Sequence, residues 1–167
     1  VDSSKLINPK ETEDELIARI KVGRYKKNVK IDRDDFKKIE NYTSQTLYGS
    51  GYSKSGYSYL LRGVVESGKI GFIQLYVTEW APEWRFLESA FDRNQKSYET
   101  IKISSKPHCA EKSCVLYEVV GISLSKGDLV KISEGTISEI KLYGKGGSRI
   151  IAIDRLLAKA FLQSLPQ

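Results

Sequence analysis

Apolar and polar residues alternate with a period of two through the middle of the chain, and with a helical period only near its ends and in one short insert. The clearest alternation places Tyr57, Tyr59, Leu61, Gly63 and Val65 on one side of a strand, and Gly71, Ile73, Leu75 and Val77 on one side of the next. Ser67-Gly68 lies between them and marks a tight turn, so the two runs predict a β-hairpin. Pro82 has no N–H to give to a ladder and breaks the second run within Trp80–Trp84. Further strands are predicted from Trp84 to Phe91, from Tyr98 to Ile103 with Pro107 closing it, and from Val115 to Ile122. A last hairpin joins Ile137–Tyr143 to Arg149–Ile153 across the loop Gly144-Lys145-Gly146-Gly147-Ser148. Val29 and Ile31, alternating with Lys30 and Asp32, predict a short early strand, and Asp34-Asp35 a helical turn holding Phe36.

Helix signals are local and chemical. Thr12-Glu13-Asp14-Glu15 has the form of a capping box, in which Thr12 and Glu15 satisfy each other's orphan backbone donors. It opens a helix over 11–22 with Leu16, Ile17 and Ile20 as its apolar stripe and Gly23 as its stop. Ser125 and Asp128 form a similar box before a short helix that ends at Gly135. Asp154 caps a final helix whose Leu156, Leu157, Ala160, Phe161 and Leu165 make a wide apolar face, ended by Pro166.

About eight strands in consecutive hairpins, with helices at the margins, predict an α+β fold. The expected architecture is an antiparallel meander, curved or partly closed into a barrel, with an N-terminal helix, a short inserted helix and a C-terminal helix covering an open face. A length of 167 residues suits one domain spanning 1–167, with 1–9 as a flexible N-terminal arm. No apolar run reaches the ~18 residues of a membrane span.

Charge changes this picture by its position. The chain carries a net +6, and residues 19–38 hold nine basic residues against three acidic ones, so this one segment accounts for the whole excess. Arg24, Lys26, Lys27 and Lys30 are therefore the candidate contacts for a polyanion. A solvated surface that serves solubility is the plainer reading. Five of the ten tyrosines fall between Tyr42 and Tyr59, in and around the Gly/Ser/Tyr run Leu47–Gly56, which predicts a loop. Tyr48, Tyr52 and Tyr57, with Trp80 and Trp84, are candidate contacts for a protein partner or a sugar. Their alternative role is to fill the core and the strands beside the loop.

Cys109 and Cys114 are the only cysteines. A pair this close at the mouth of a strand predicts a local disulfide, and with it an oxidising compartment. The chain opens on Val1 and contains no Met, which fits a cleaved secretory leader; a trimmed cytosolic chain is the alternative. His108 beside the cysteines provides only three ligands where structural zinc takes four, so no metal is expected. The Gly144–Ser148 loop lacks the spacing of a phosphate loop and precedes a strand, so a flexible turn is expected. Glu79 and Glu83 beside the tryptophans raise the possibility of glycoside chemistry, and Glu118 is either a buried functional acid or a solvent-facing or paired residue. Asn41-Tyr42-Thr43 fits a glycosylation acceptor and carries no argument.

These features assign no catalytic residue and no cofactor. They lead to a non-enzymatic extracytoplasmic binding module, periplasmic or secreted, with an unknown protein or an anionic envelope component as its partner. Two alternatives stay open: a carbohydrate-binding or carbohydrate-active protein around Trp80 and Trp84, and a polyanion or nucleic-acid binder acting through residues 19–38. Nucleic acid is not the expected partner of a secreted chain. The basic stretch also brings few stacking rings, namely Tyr25 and Phe36.

Overall fold

Two antiparallel sheets face each other in the computed structural model, which describes residues 10–49 and 54–167. The elements run α1 (Glu13–Lys27), β1 (Lys30–Asp34), β2 (Ile39–Thr43), β3 (Leu47–Tyr48), β4 (Gly56–Glu66), β5 (Lys69–Ala81), β6 (Leu87–Asp92), β7 (Ser97–Tyr98), β8 (Thr100–Ala110), β9 (Ser113–Leu124), α2 (Lys126–Ser133), β10 (Glu139–Gly144), β11 (Gly147–Ala152) and α3 (Arg155–Ser164). The larger sheet has the order β1-β2-β4-β5-β9-β8, with the short β3 also on β4; the smaller has the order β11-β10-β6-β7. This is the α+β class that the alternation predicts, and both sheets are open rather than closed into a barrel. The expected arm, 1–9, lies outside the described residues.

Strand parity determines what is inside. Across β4, β5 and β9 the register aligns Tyr59, Val77 and Val120, then Leu61, Leu75 and Ile122, all buried. These rows form the inner face of the large sheet. Helix α3 lies against it, with Phe161 and Leu165 seated over Gly63. Leu142 and Ile151 of the small sheet complete the core. Side chains of this size stabilise by about 1.5–3 kcal/mol each when fully buried. Two tyrosines on β4 cross this interior as pillars: the Tyr57 hydroxyl accepts the N–H of Ala152, and that of Tyr59 accepts the N–H of Asp154. Burial pushes the Tyr59 phenol up to about 12.

Several boundaries differ from expectation. Both capping boxes form as predicted, and Asp154 caps α3. Helix α1, however, passes through Gly23 and ends at Lys27, and its buried residues are Val22 and Tyr25. Ile17 and Ile20 stand outward at 55% and 52% exposure. The reason is where the helix is fastened. The Tyr25 hydroxyl donates to Asp154 at 2.8 Å and Lys21 pairs with the same carboxylate at 2.9 Å, so the C-terminal half of α1 meets the start of α3. Strand β8 runs straight through Pro107, because β8 is an edge strand paired only with β9 and one missing donor costs the ladder nothing there. Residues 39–43, which alternate only loosely in sequence, pair with both β1 and β4. Strand β6 begins at Leu87, because the preceding residues form a bent connection.

Candidate functional site

The aromatic and charged residues singled out by the sequence fall in two places. The first is one end of the large sheet, where the β5–β6 connection meets the β10–β11 turn. Gly56, Trp80 and Tyr117 share one row across β4, β5 and β9, and Tyr57, Glu79 and Glu118 share the next. Neighbouring residues on a strand point to opposite faces. Glu79 is fully buried inside, so Trp80 faces outward, half-buried, with its ring 6.1 Å from that of Tyr117. His108 stands edge-on to the same Tyr117 ring.

Beneath Trp80 the inner row forms a knot of buried charge. Oε1 of Glu79 lies 2.6 Å from Nε of Arg85, an ion pair without hydrogen-bond alignment, and accepts from Nη2 of Arg149 at 3.2 Å. Arg149 also donates to Ser55 Oγ at 2.6 Å, and Arg85 donates to the carbonyl of Ser148 at 2.7 Å. Burial pushes the Glu79 carboxyl up, and the two guanidiniums oppose that rise. Glu118, directly across from Glu79, accepts two backbone N–H groups, from Arg85 at 2.9 Å and from Leu87 at 3.0 Å. It is buried and faces inward; it does not project to solvent. The 84–87 segment is thereby held between the Glu118 carboxylate and the β10–β11 turn. The approach is so close that a Cβ on Gly146 would lie 2.1 Å from the Trp84 carbonyl, so only glycine fits there.

This knot joins the two sheets: Oε1 of Glu79 faces both guanidiniums, while its Oε2 and the Nε atoms of Arg85 and Arg149 are buried without a hydrogen-bond partner among the described residues. Glu79 and Trp80 stand on opposite faces of β5, so the ring and the buried acids do not share a sugar pocket. Glu83 is exposed, and Trp84 is half-buried with its backbone against Gly146. Tyr57 is buried under Gly49, whose backbone rests on its ring, so it supports the loop and offers no free ring. Tyr48 is an open ring at 72% exposure. Tyr52 lies outside the described residues. Cys109 and Cys114 are cross-strand partners joined in a disulfide at the tip of the β8–β9 hairpin.

The second place is the helical side. Arg24, Lys26 and Lys27 lie in the last turn of α1 and Lys30 begins β1; all are exposed. None takes part in an ion pair among the described residues, whereas Arg19, Lys21 and Arg33 do. A groove of about 690 Å³ separates α1 from α3, and Lys26 lines it together with Arg155 and Lys159 of α3. Sequence reasoning missed Arg155 and Lys159, although their i, i+4 spacing on the polar side of α3 signals one shared face.

Among the described residues no helix is long and apolar enough to cross a membrane. No group of three or more His, Cys, Asp or Glu residues there is arranged to hold a metal ion. Compared with protein-family models, with curated proteins and with solved structures, the chain matches none.

Proposed function

We propose that this chain is a non-enzymatic binding module of an extracytoplasmic space, periplasmic or secreted, and that its partner is an anionic component of the envelope or an acidic protein. One observation carries the reading: Arg24, Lys26, Lys27 and Lys30 are exposed and form no ion pair among the described residues, while the buried carboxylates Glu79 and Glu118 hold the sheets. Exposed cations outside any ion pair are available to attract an opposite charge. The disulfide supports the compartment, because such bonds persist in oxidising spaces.

The test is association of the purified chain with anionic envelope fractions at low and high salt. Exposed charge pairs are screened over ~8 Å at physiological ionic strength, so binding is expected to fall as salt rises. Reversing Lys26, Lys27 and Lys30 to Glu is expected to weaken it by tenfold or more, at about 1 kcal/mol per cation near an anionic surface. Binding that ignores both salt and these substitutions contradicts the proposal. A carbohydrate contact is a second reading, favoured by the outward Trp80–Tyr117 pair. Only two tryptophans are present, so a shift in their emission on adding oligosaccharide tests it directly.

A further inference from the structure

We infer that the groove between α1 and α3 is the binding site of this module, and that it takes the phosphate groups of an anionic polymer on Lys26, Arg155 and Lys159. The inference rests on the binding-module reading and names where, and with what chemistry, that binding occurs.

The shape comes from Gly23. It sits inside α1, where glycine costs a helix about 0.5–1 kcal/mol relative to alanine. Packing gives no reason for it, because a Cβ there would meet nothing within 4 Å. The missing side chain leaves open the space that Gly23, Val22 and Leu156 line.

The charge comes from both helices. Lys26 contributes from the last turn of α1, where a cation also complements the helix dipole. Arg155 and Lys159 contribute from the first turns of α3, and all three are exposed without an ion pair among the described residues. Asp154, the acid nearest to them in sequence, is engaged by Lys21, by the Tyr25 hydroxyl and by the N–H of Leu156.

The groove also has carboxylates, at its other end. Glu11 is held by Arg19 through two hydrogen bonds, Glu15 closes the capping box onto Thr12, and Asp14 is exposed. At 1.5 Å per residue these acids lie roughly 16 Å or more along the axis from Lys26, well beyond the screening length at physiological salt. Lys26 therefore acts apart from these acids. An Arg fork with two flexible ammonium groups suits a tetrahedral oxyanion that offers several acceptors. Successive phosphates along a chain meet Lys26, Arg155 and Lys159 together, which a single phosphate does not.

The experiment is a titration of the intact chain with inorganic polyphosphate, with orthophosphate, polyglutamate and phosphatidylglycerol vesicles as comparison arms. Polyphosphate is expected to bind most tightly; preference for the vesicles assigns the same chemistry to lipid headgroups, and preference for polyglutamate overturns the assignment to phosphate. Arg155→Glu with Lys159→Glu is expected to weaken polyphosphate binding at least tenfold. Gly23→Leu, which fills the groove and suits a helix, is expected to do the same with an unchanged or higher melting temperature. Gly23→Ala leaves the groove open and is expected to bind like the parent. Lys27→Glu with Lys30→Glu lies outside the groove and is expected to cost several-fold less than Arg155→Glu with Lys159→Glu.

Two outcomes separate the claims. If Lys27→Glu/Lys30→Glu abolishes binding while Gly23→Leu and Arg155→Glu/Lys159→Glu bind normally, the groove is wrong and the basic-surface reading stands. If every variant binds like the parent, both are wrong.

Discussion

The knot at Glu79 and the groove at Gly23 treat charge in opposite ways. In the knot, one buried carboxylate faces two guanidiniums and a second carboxylate accepts two backbone N–H groups, so charge is matched inside the protein. In the groove, three cations from two helices stand in solvent with no ion-pair partner among the described residues. Buried charge must be paired, because removing it from water costs several kcal/mol per ion. Exposed charge carries no such requirement, and cations left unmatched add little to stability. The difference separates charge that builds the fold from charge that is open to a partner. Substitutions in the knot should change stability, and substitutions in the groove should change binding.

The largest effect is expected from Arg149→Ala. It removes one of the two cations facing a fully buried carboxylate and should cost about 3 kcal/mol in chemical denaturation. A loss below about 0.5 kcal/mol would mean that the knot does not hold the sheets. Reducing the disulfide, or replacing Cys109 and Cys114 by Ser, should cost about 2 kcal/mol, the entropy of closing so short a loop. The protein should stay folded, with an unchanged far-ultraviolet circular dichroism spectrum.

A smaller effect is expected from pH, at the carboxylates that cap the last two helices. Burial pushes the Asp154 carboxyl up, but Lys21, the Leu156 N–H and the Tyr25 hydroxyl together outweigh it and hold the group below its usual 3.8. Asp128 behaves alike, with Lys96 and the Ser125 N–H prevailing over burial. A carboxylate lowered in this way stabilises fully above its unfolded pKa and loses that contribution as pH falls through the folded value. Stability should therefore decline as the pH drops below about 4, and Asp154→Asn, which keeps a capping side chain, should make the decline shallower. An acid titration of the melting temperature checks this. The smallest effect is the most selective: Gly23→Ala should raise stability by about 0.5–1 kcal/mol and leave binding untouched.

Much of the fold is legible because its signals are local. Thr12 with Glu15, Ser125 with Asp128, and Asp154 each act within a few residues, and all three cap the helices that the sequence predicts. The alternation through Leu61, Leu75 and Ile122 reports the inner face directly, since strand parity and burial are the same fact. Distant partners explain the misses. Gly23 reads as a stop in isolation, but Tyr25 and Lys21 reach Asp154 more than a hundred residues away and hold the helix beyond it. Leu16, Ile17 and Ile20 read as a core stripe, yet that same anchor places Val22 inward instead. Pro107 reads as a strand end unless the strand is known to be an edge.

The candidate site was legible in part. The basic run is visible in the sequence alone, whereas Tyr48 reads there as either a core or a contact ring. The knot was within reach, because Glu79 continues the parity of Ile73, Leu75 and Val77, and Glu118 shares that of Val120 and Ile122. An acid in phase with a buried face calls for partners, but nothing local names Arg85 and Arg149 as those partners. Lys26 meets Arg155 and Lys159 only through the packing of the first helix on the last.

The division between structural and available charge is tested most directly by one variant, Lys26→Glu with Arg155→Glu and Lys159→Glu, measured for both unfolding and polyphosphate affinity. The account predicts an unfolding free energy within about 0.5 kcal/mol of the parent, as for surface substitutions generally, together with loss of binding. Parental affinity in a folded variant would contradict it.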